Sequence, residues 1–193
     1  MKNIPRLPTR RPIPTFAFVG SSGSGKTTLI EGVLPFLQAH GYRVGVVKHA
    51  HRGFEIDRPG KDSHRVRRAG AVQVLLGSNR QWALIGEQPP GADDPRLEAL
   101  VARFDPREID LVLAEGFSHE AVPKIEVFRP AHGRPPRCWP LDSDVVAVAS
   151  DADLVVEPPV TRLELNRPES VAEFIAGRAS PERRAVGGPR SGR

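Results

Sequence analysis

The stretch "FVGSSGSGKTTLIEG", residues 18–32, decides how this chain is read. Gly20, Ser21, Ser22, Gly23, Ser24, Gly25, Lys26 and Thr27 satisfy G-x-x-x-x-G-K-[ST] at every position. Glycines let such a loop curl until successive backbone N–H groups converge on phosphate oxygens. The lysine supplies a point charge for the β- and γ-phosphates, and the threonine hydroxyl suits Mg²⁺. The expected nucleotide-binding set is Gly20, Ser22, Gly23, Ser24, Gly25, Lys26, Thr27 and Thr28. Context separates this loop from a Gly/Ser turn that binds nothing. "TFAFV" (15–19) reads as a short apolar strand before it. Residues 27–40 read as a helix after it, with Leu29, Val33, Leu34 and Leu37 at helical spacing. The positive end of that helix dipole faces the same anion.

Outward from the loop, strands and helices alternate. Residues 42–49 read as a second strand and 61–71 as a short polar helix. Residues 72–77 and 82–86 read as strands, arranged as a hairpin around 78–81. Asp94-Pro95 reads as the opening of a helix running to Phe104. "DLVLAEG" (110–116) and "VVAVAS" (145–150) are apolar strands, whereas "KIEVFR" (124–129) alternates like an exposed one. Asn166 with Glu169 resembles a capping box for a last helix to about Ala176. The expected fold is α/β: a P-loop NTPase three-layer sandwich with a mostly parallel central sheet and a β-hairpin or edge-strand extension. Its ligands sit at the carboxyl ends of the strands. The expected organisation is a flexible basic arm over 1–14, one nucleotide-binding domain over 15–177 and a flexible basic tail over 178–193.

The 193 residues suffice for one domain with a real core, and no apolar run approaches membrane-spanning length. The Pro- and Arg-rich start lacks the apolar stretch of a signal peptide. The lone Cys138 excludes an intrachain disulfide and a multi-cysteine zinc site; it is expected as a small buried hydrophobe in a reduced, cytoplasmic setting. The net charge of +5 gathers in the arm, the tail and the segment with Lys61, His64, Arg65, Arg67 and Arg68. Basic tails alone are a weak pointer to nucleic acid.

A phosphate-bound Mg²⁺ needs a carboxylate near the end of a neighbouring strand. Glu115 ends "LVLAE", and Asp57 follows the second strand in "HRGFEIDRPGKDS". Both are candidates for the metal–water shell beside Thr27, and for the catalytic acid positions. The competing reading makes Asp57 a turn former before Arg58-Pro59-Gly60. Asp110 starts its strand at the far end and is excluded. His49 and His51 form an H-x-H pair that a strand would place on one face. With no third ligand nearby, a loop lining the nucleotide or a second substrate is the better reading. On a helix Lys61, Arg65 and Arg68 share roughly one face. They form either a solvated surface or a docking site for a second anionic ligand.

Taken together, "GSSGSGKTTL", "VVKHAHRGFEIDRPGKDSHRVRRAGA", "VLLGSNRQWAL" and "DLVLAEGFSHEAVPKIEVFR" resemble the molybdopterin-guanine dinucleotide biosynthesis protein B (MobB) family, from Phe16 to about Asp151. The resemblance implies GTP binding with Mg²⁺, weak GTPase activity and a homodimer. It also implies a role beside the guanylyltransferase MobA, which attaches GMP to molybdopterin to give its guanine dinucleotide. Ser118 stands where that family usually has Lys after "EGF", which removes one possible phosphate contact. No [NT]-K-x-D guanine-reading motif is present, so the residues themselves do not separate GTP from ATP; Asp151 is a candidate guanine-reading carboxylate.

Other P-loop classes compete. A small-molecule phosphotransferase (kinase) shares the loop and would use Arg65–Arg68 as a basic lid. Partitioning ATPases carry an extra lysine early in the loop, where this chain has Ser21, and nickel-delivery GTPases need paired Cys/His ligands that Cys138 lacks. A GTP-binding accessory protein is the reading that accommodates all the motifs.

Overall fold

The computed structural model describes residues 12–50, 60–88 and 91–179. Its core is a six-stranded sheet formed by β1 (Thr15–Val19), β2 (Val44–Lys48), β5 (Leu111–Glu115), β6 (Lys124–Phe128), β7 (Val145–Ser150) and β8 (Thr161–Glu164). The spatial order is β2-β5-β1-β6-β7-β8 and every neighbouring pair is parallel. The remaining strands, β3 (Gln73–Gly77) and β4 (Trp82–Gly86), form a separate antiparallel hairpin. The helices are α1 (Lys26–Ala39), α2 (Asp62–Arg68), α3 (Leu97–Val101) and α4 (Pro168–Ala179).

Period-two alternation divides β1 and β5 between two cores. Phe16, Phe18, Leu111 and Leu113 pack with Leu29, Val33 and Leu37 of α1 and with Val171 and Ile175 of α4. Ala17, Val19, Val112 and Ala114 pack on the opposite face with Leu97 of α3, Phe117 and Cys138. These layers are the expected sandwich, and burial on both faces is why β1 and β5 are continuous apolar runs. Two compact units are distinguished, one drawn from Met1–His49 and Arg96–Arg193 and carrying the parallel sheet, the other from Ala50–Pro95 and carrying α2 and the hairpin.

The structure corrects the reading of "KIEVFR". β6 is not an exposed strand; it lies between β1 and β7, and Lys124 and Glu126 are 2% and 0% exposed. Charged side chains tolerate this only with partners. Lys124 Nζ contacts Asp142 (2.7 Å) and Asp144 (3.4 Å). The Glu126 carboxylate accepts the backbone N–H groups of Arg137 (2.7 Å) and Cys138 (2.9 Å). Both anchors tie residues 137–144 back onto the sheet. The last strand, β8, goes unread because its four residues mix Thr, Arg, Leu and Glu.

Helix starts also differ. α3 begins at Leu97 rather than at Asp94-Pro95, because Glu120 Oε1 accepts the Leu97 N–H (2.9 Å) from another loop. α4 begins at Pro168, with Glu169 ion-paired to Arg167 (3.0 Å), so Asn166 is not its cap. Residues 12–14 of the expected arm join the domain: Ile13 packs on the second core, and the Pro14 carbonyl accepts the Val112 N–H (2.9 Å).

Candidate phosphate-binding site

β1 ends at Val19 and the chain turns through Gly20, Gly23 and Gly25, with φ of 136°, 79° and 97°. Side chains disfavour this region. At Gly20 the restriction is doubled: a Cβ would lie 2.4 Å from the Val127 carbonyl oxygen. Gly25 caps α1 without any side-chain hydrogen bond. The first-turn N–H groups of α1 therefore remain available to an anion, and the fourteen-residue helix adds its dipole.

Lys26 arches over this loop. Its Nζ donates to the Gly20 (3.0 Å) and Ser21 (2.8 Å) carbonyls. Burial pushes its pKa below the ordinary lysine value; Glu115 opposes that, and the charge of Arg137 adds to it. Thr27 and Thr28 are exposed at the helix start, whereas Ser24 is buried with a hydroxyl lacking any hydrogen-bond partner among the described residues.

Glu115 arrives at the same end of the sheet. In the parallel register it lies beside Phe18 on one side and Lys48 on the other. The Thr27 hydroxyl is 2.9 Å from both its oxygens, and Lys48 Nζ reaches Glu115 Oε1 (3.2 Å) and Thr27 Oγ1 (3.3 Å). A hydroxyl and a carboxylate side by side at a glycine loop form the hard-oxygen pair that Mg²⁺ takes, and they fit that ion. Lys48, which the sequence places at the end of the second strand on the ligand side of the sheet, joins this cluster. The other expected acid, Asp57, lies outside the described residues, as does His51.

Beyond Glu115 the chain enters a strained turn. Gly116 has φ of 94° and Phe117, a bulky residue, 59°. The buried Phe117 ring meets His49 edge-on, with centroids 5.1 Å apart. Ser118 follows, and its hydroxyl accepts from Arg137 Nε (3.1 Å). On the other flank of the loop, Arg129 Nε donates to the Ser24 carbonyl (3.2 Å) while its Nη1 pairs with Asp151. The Asp151 carboxylate thus braces the loop through Arg129, a task that competes with reading a base. Asp110, at the opposite end of β5, pairs with Arg43 (2.9 Å), as its exclusion from the site requires.

Lys61, Arg65 and Arg68 are all exposed, on or beside α2 in the second unit. Arg65 lies 3.6 Å from Asp62, and their neighbour Arg67 pairs with Glu87 (3.0 Å). Cys138 is buried among apolar side chains, which pushes its thiol pKa up. Among the described residues no cluster of three His, Cys, Asp or Glu can hold a metal, and no helix is long and apolar enough to cross a membrane. A cavity of about 770 Å³ near Ile13, Leu97, Phe104 and Val122 includes no residue of the phosphate loop.

The chain is similar to known proteins over most of its length. The chain is 42% identical to the molybdopterin-guanine dinucleotide biosynthesis adapter protein of Escherichia coli over 163 residues, covering 84% of this chain and 91% of that protein. It is 41% identical to the adapter protein of the same description from Haemophilus influenzae, covering 84% and 88%. The crystal structure of Bacillus subtilis MobB superposes with a TM-score of 0.68 at 22% identity, covering 88% of this chain and all of that one, a likeness of fold. The sequence profile of "Molybdopterin guanine dinucleotide synthesis protein B" matches residues 15–151, and the chain belongs to that MobB family.

Proposed function

We propose that the chain is a GTP-binding adapter in molybdenum cofactor biosynthesis, acting beside the guanylyltransferase that converts molybdopterin to its guanine dinucleotide form. The observation that carries the nucleotide part is the Thr27–Glu115 pair, 2.9 Å apart at the foot of the glycine loop. The adapter part rests on the family and on the described role of the E. coli and H. influenzae relatives. In this reading the loop N–H groups and Lys26 bind the β- and γ-phosphates. Thr27 and Glu115 would hold Mg²⁺, which would supply neutralisation of phosphate charge, and Asp57 is a further candidate from the sequence alone. Lys48 keeps the Glu115 carboxylate oriented. Arg129, fixed by Asp151, steadies the loop. The buried free Cys138 agrees with a reducing, cytoplasmic setting.

Turnover is expected to be slow, because the sequence shows no recognisable switch-loop glutamine to orient the attacking water. Lys61, Arg65 and Arg68 are assigned to a second anion, the pterin phosphate, for which guanidinium groups offer bidentate pairing. The test is GTP binding and cofactor guanylylation measured side by side. Arg65→Ala with Arg68→Ala should keep GTP affinity and lose stimulation of guanylylation. Full stimulation by the double variant, or fast unaided hydrolysis by the wild type, contradicts the adapter reading and favours the phosphotransferase.

A further inference from the structure

We propose that Arg137 is the terminal-phosphate contact of this site, delivered within the same chain by the loop that follows β6. The inference rests on the nucleotide reading above and assigns it a residue that the phosphate-loop pattern does not contain.

Three observations converge on Arg137. First, its backbone is fixed although the side chain is exposed: the fully buried Glu126 carboxylate accepts the Arg137 N–H at 2.7 Å and the Cys138 N–H at 2.9 Å. A buried carboxylate spent on three loop N–H groups, those of Arg137, Cys138 and Trp139 (3.4 Å), is a costly device unless the loop position matters. Second, the guanidinium is oriented. Nε donates to Ser118 Oγ (3.1 Å), three residues beyond the Glu115 that meets Thr27. Third, the turn presenting Ser118 is itself strained, with Phe117 at φ 59° and held by the His49 ring. Strain of this kind persists where surrounding structure enforces it.

A guanidinium carries five N–H donors, and only Nε is engaged; both terminal NH₂ groups lack partners among the described residues. The charge of Arg137 is also felt at Lys26, whose pKa it helps to lower, so the two cations share one neighbourhood. Glu115 and Glu126 offset part of that positive charge, and a polyphosphate between Lys26 and Arg137 would offset the rest. Arg137 complements the terminal phosphate by its fork geometry, whereas Lys26 is a point charge. Such a contact strengthens binding of a triphosphate over a diphosphate and need not accelerate hydrolysis.

The experiment compares dissociation constants for GTP with GDP, and ATP with ADP, all with Mg²⁺, on the full chain. The wild type should prefer the triphosphate. Arg137→Ala should lose about tenfold or more in triphosphate affinity with diphosphate affinity unchanged, and Arg137→Lys should recover part of the loss. Unchanged diphosphate binding also reports that the variant is folded. A triphosphate-to-diphosphate ratio that survives Arg137→Ala overturns the inference and leaves the nucleotide reading standing. An equal loss for both overturns it as well, since Arg137 then only supports the loop. A wild type that binds no nucleotide defeats both readings.

Discussion

At the scale of single residues, the proposed function separates groups that would touch phosphate from groups that would act through Mg²⁺. Lys26 belongs to the first kind, so Lys26→Ala should weaken nucleotide binding with or without Mg²⁺. Thr27 shares Glu115 and belongs to the second, so Thr27→Ala should matter mainly when Mg²⁺ is present. Binding measured in EDTA decides this, and equal defects there contradict the assignment. Glu115→Gln and Asp57→Asn should leave affinity within about tenfold and reduce turnover by roughly a hundredfold or more. Normal hydrolysis by Asp57→Asn returns that residue to the role of turn former.

At the scale of elements, β6 and the loop behind it connect stability to the site. Burial opposes ionisation of Asp142, but its hydrogen bond with Lys124 prevails and lowers its pKa. A carboxyl lowered in the folded state adds stability above its unfolded value and loses it as pH falls through its folded value. Wild-type stability should therefore drop below about pH 4 through this pair, and Lys124→Met should flatten that part of the profile in denaturant titrations. At neutral pH the same variant should cost roughly 1–3 kcal/mol, less than the about 3–5 kcal/mol of a wholly buried pair, because both aspartates keep contact with water. These charges also explain what the linear sequence hides. β1, β5 and β7 are legible because burial on both faces leaves uninterrupted apolar runs. β6 is disguised because its partners, Asp142, Asp144 and the 137–138 backbone, are distant in sequence. The Thr27–Glu115 pair is legible because a charge directly after four apolar strand residues needs a partner. Arg137 is not, since only the folded loop brings it to Ser118.

At the scale of the whole molecule, the two units carry different expectations. In the parallel sheet β6 lies between β1 and β7, so it offers no free strand edge to a second copy. The hairpin is different. Leu75 pairs with Leu84 on the face that also holds Trp82, and their exposures are 67%, 42% and 69%. An exposed apolar strand face of this kind suits a second copy of the chain. Trp82→Glu with Leu84→Glu should convert a homodimer to a monomer in light scattering at micromolar concentration, and a monomeric wild type contradicts the dimer. The nucleotide claim, on which the other expectations depend, is tested most directly by calorimetric titration of the wild-type protein with GTP and with ATP, each in Mg²⁺. The account predicts saturable binding of GTP, tighter than ATP, that Lys26→Ala weakens. Absence of GTP binding, or tighter binding of ATP, would contradict it.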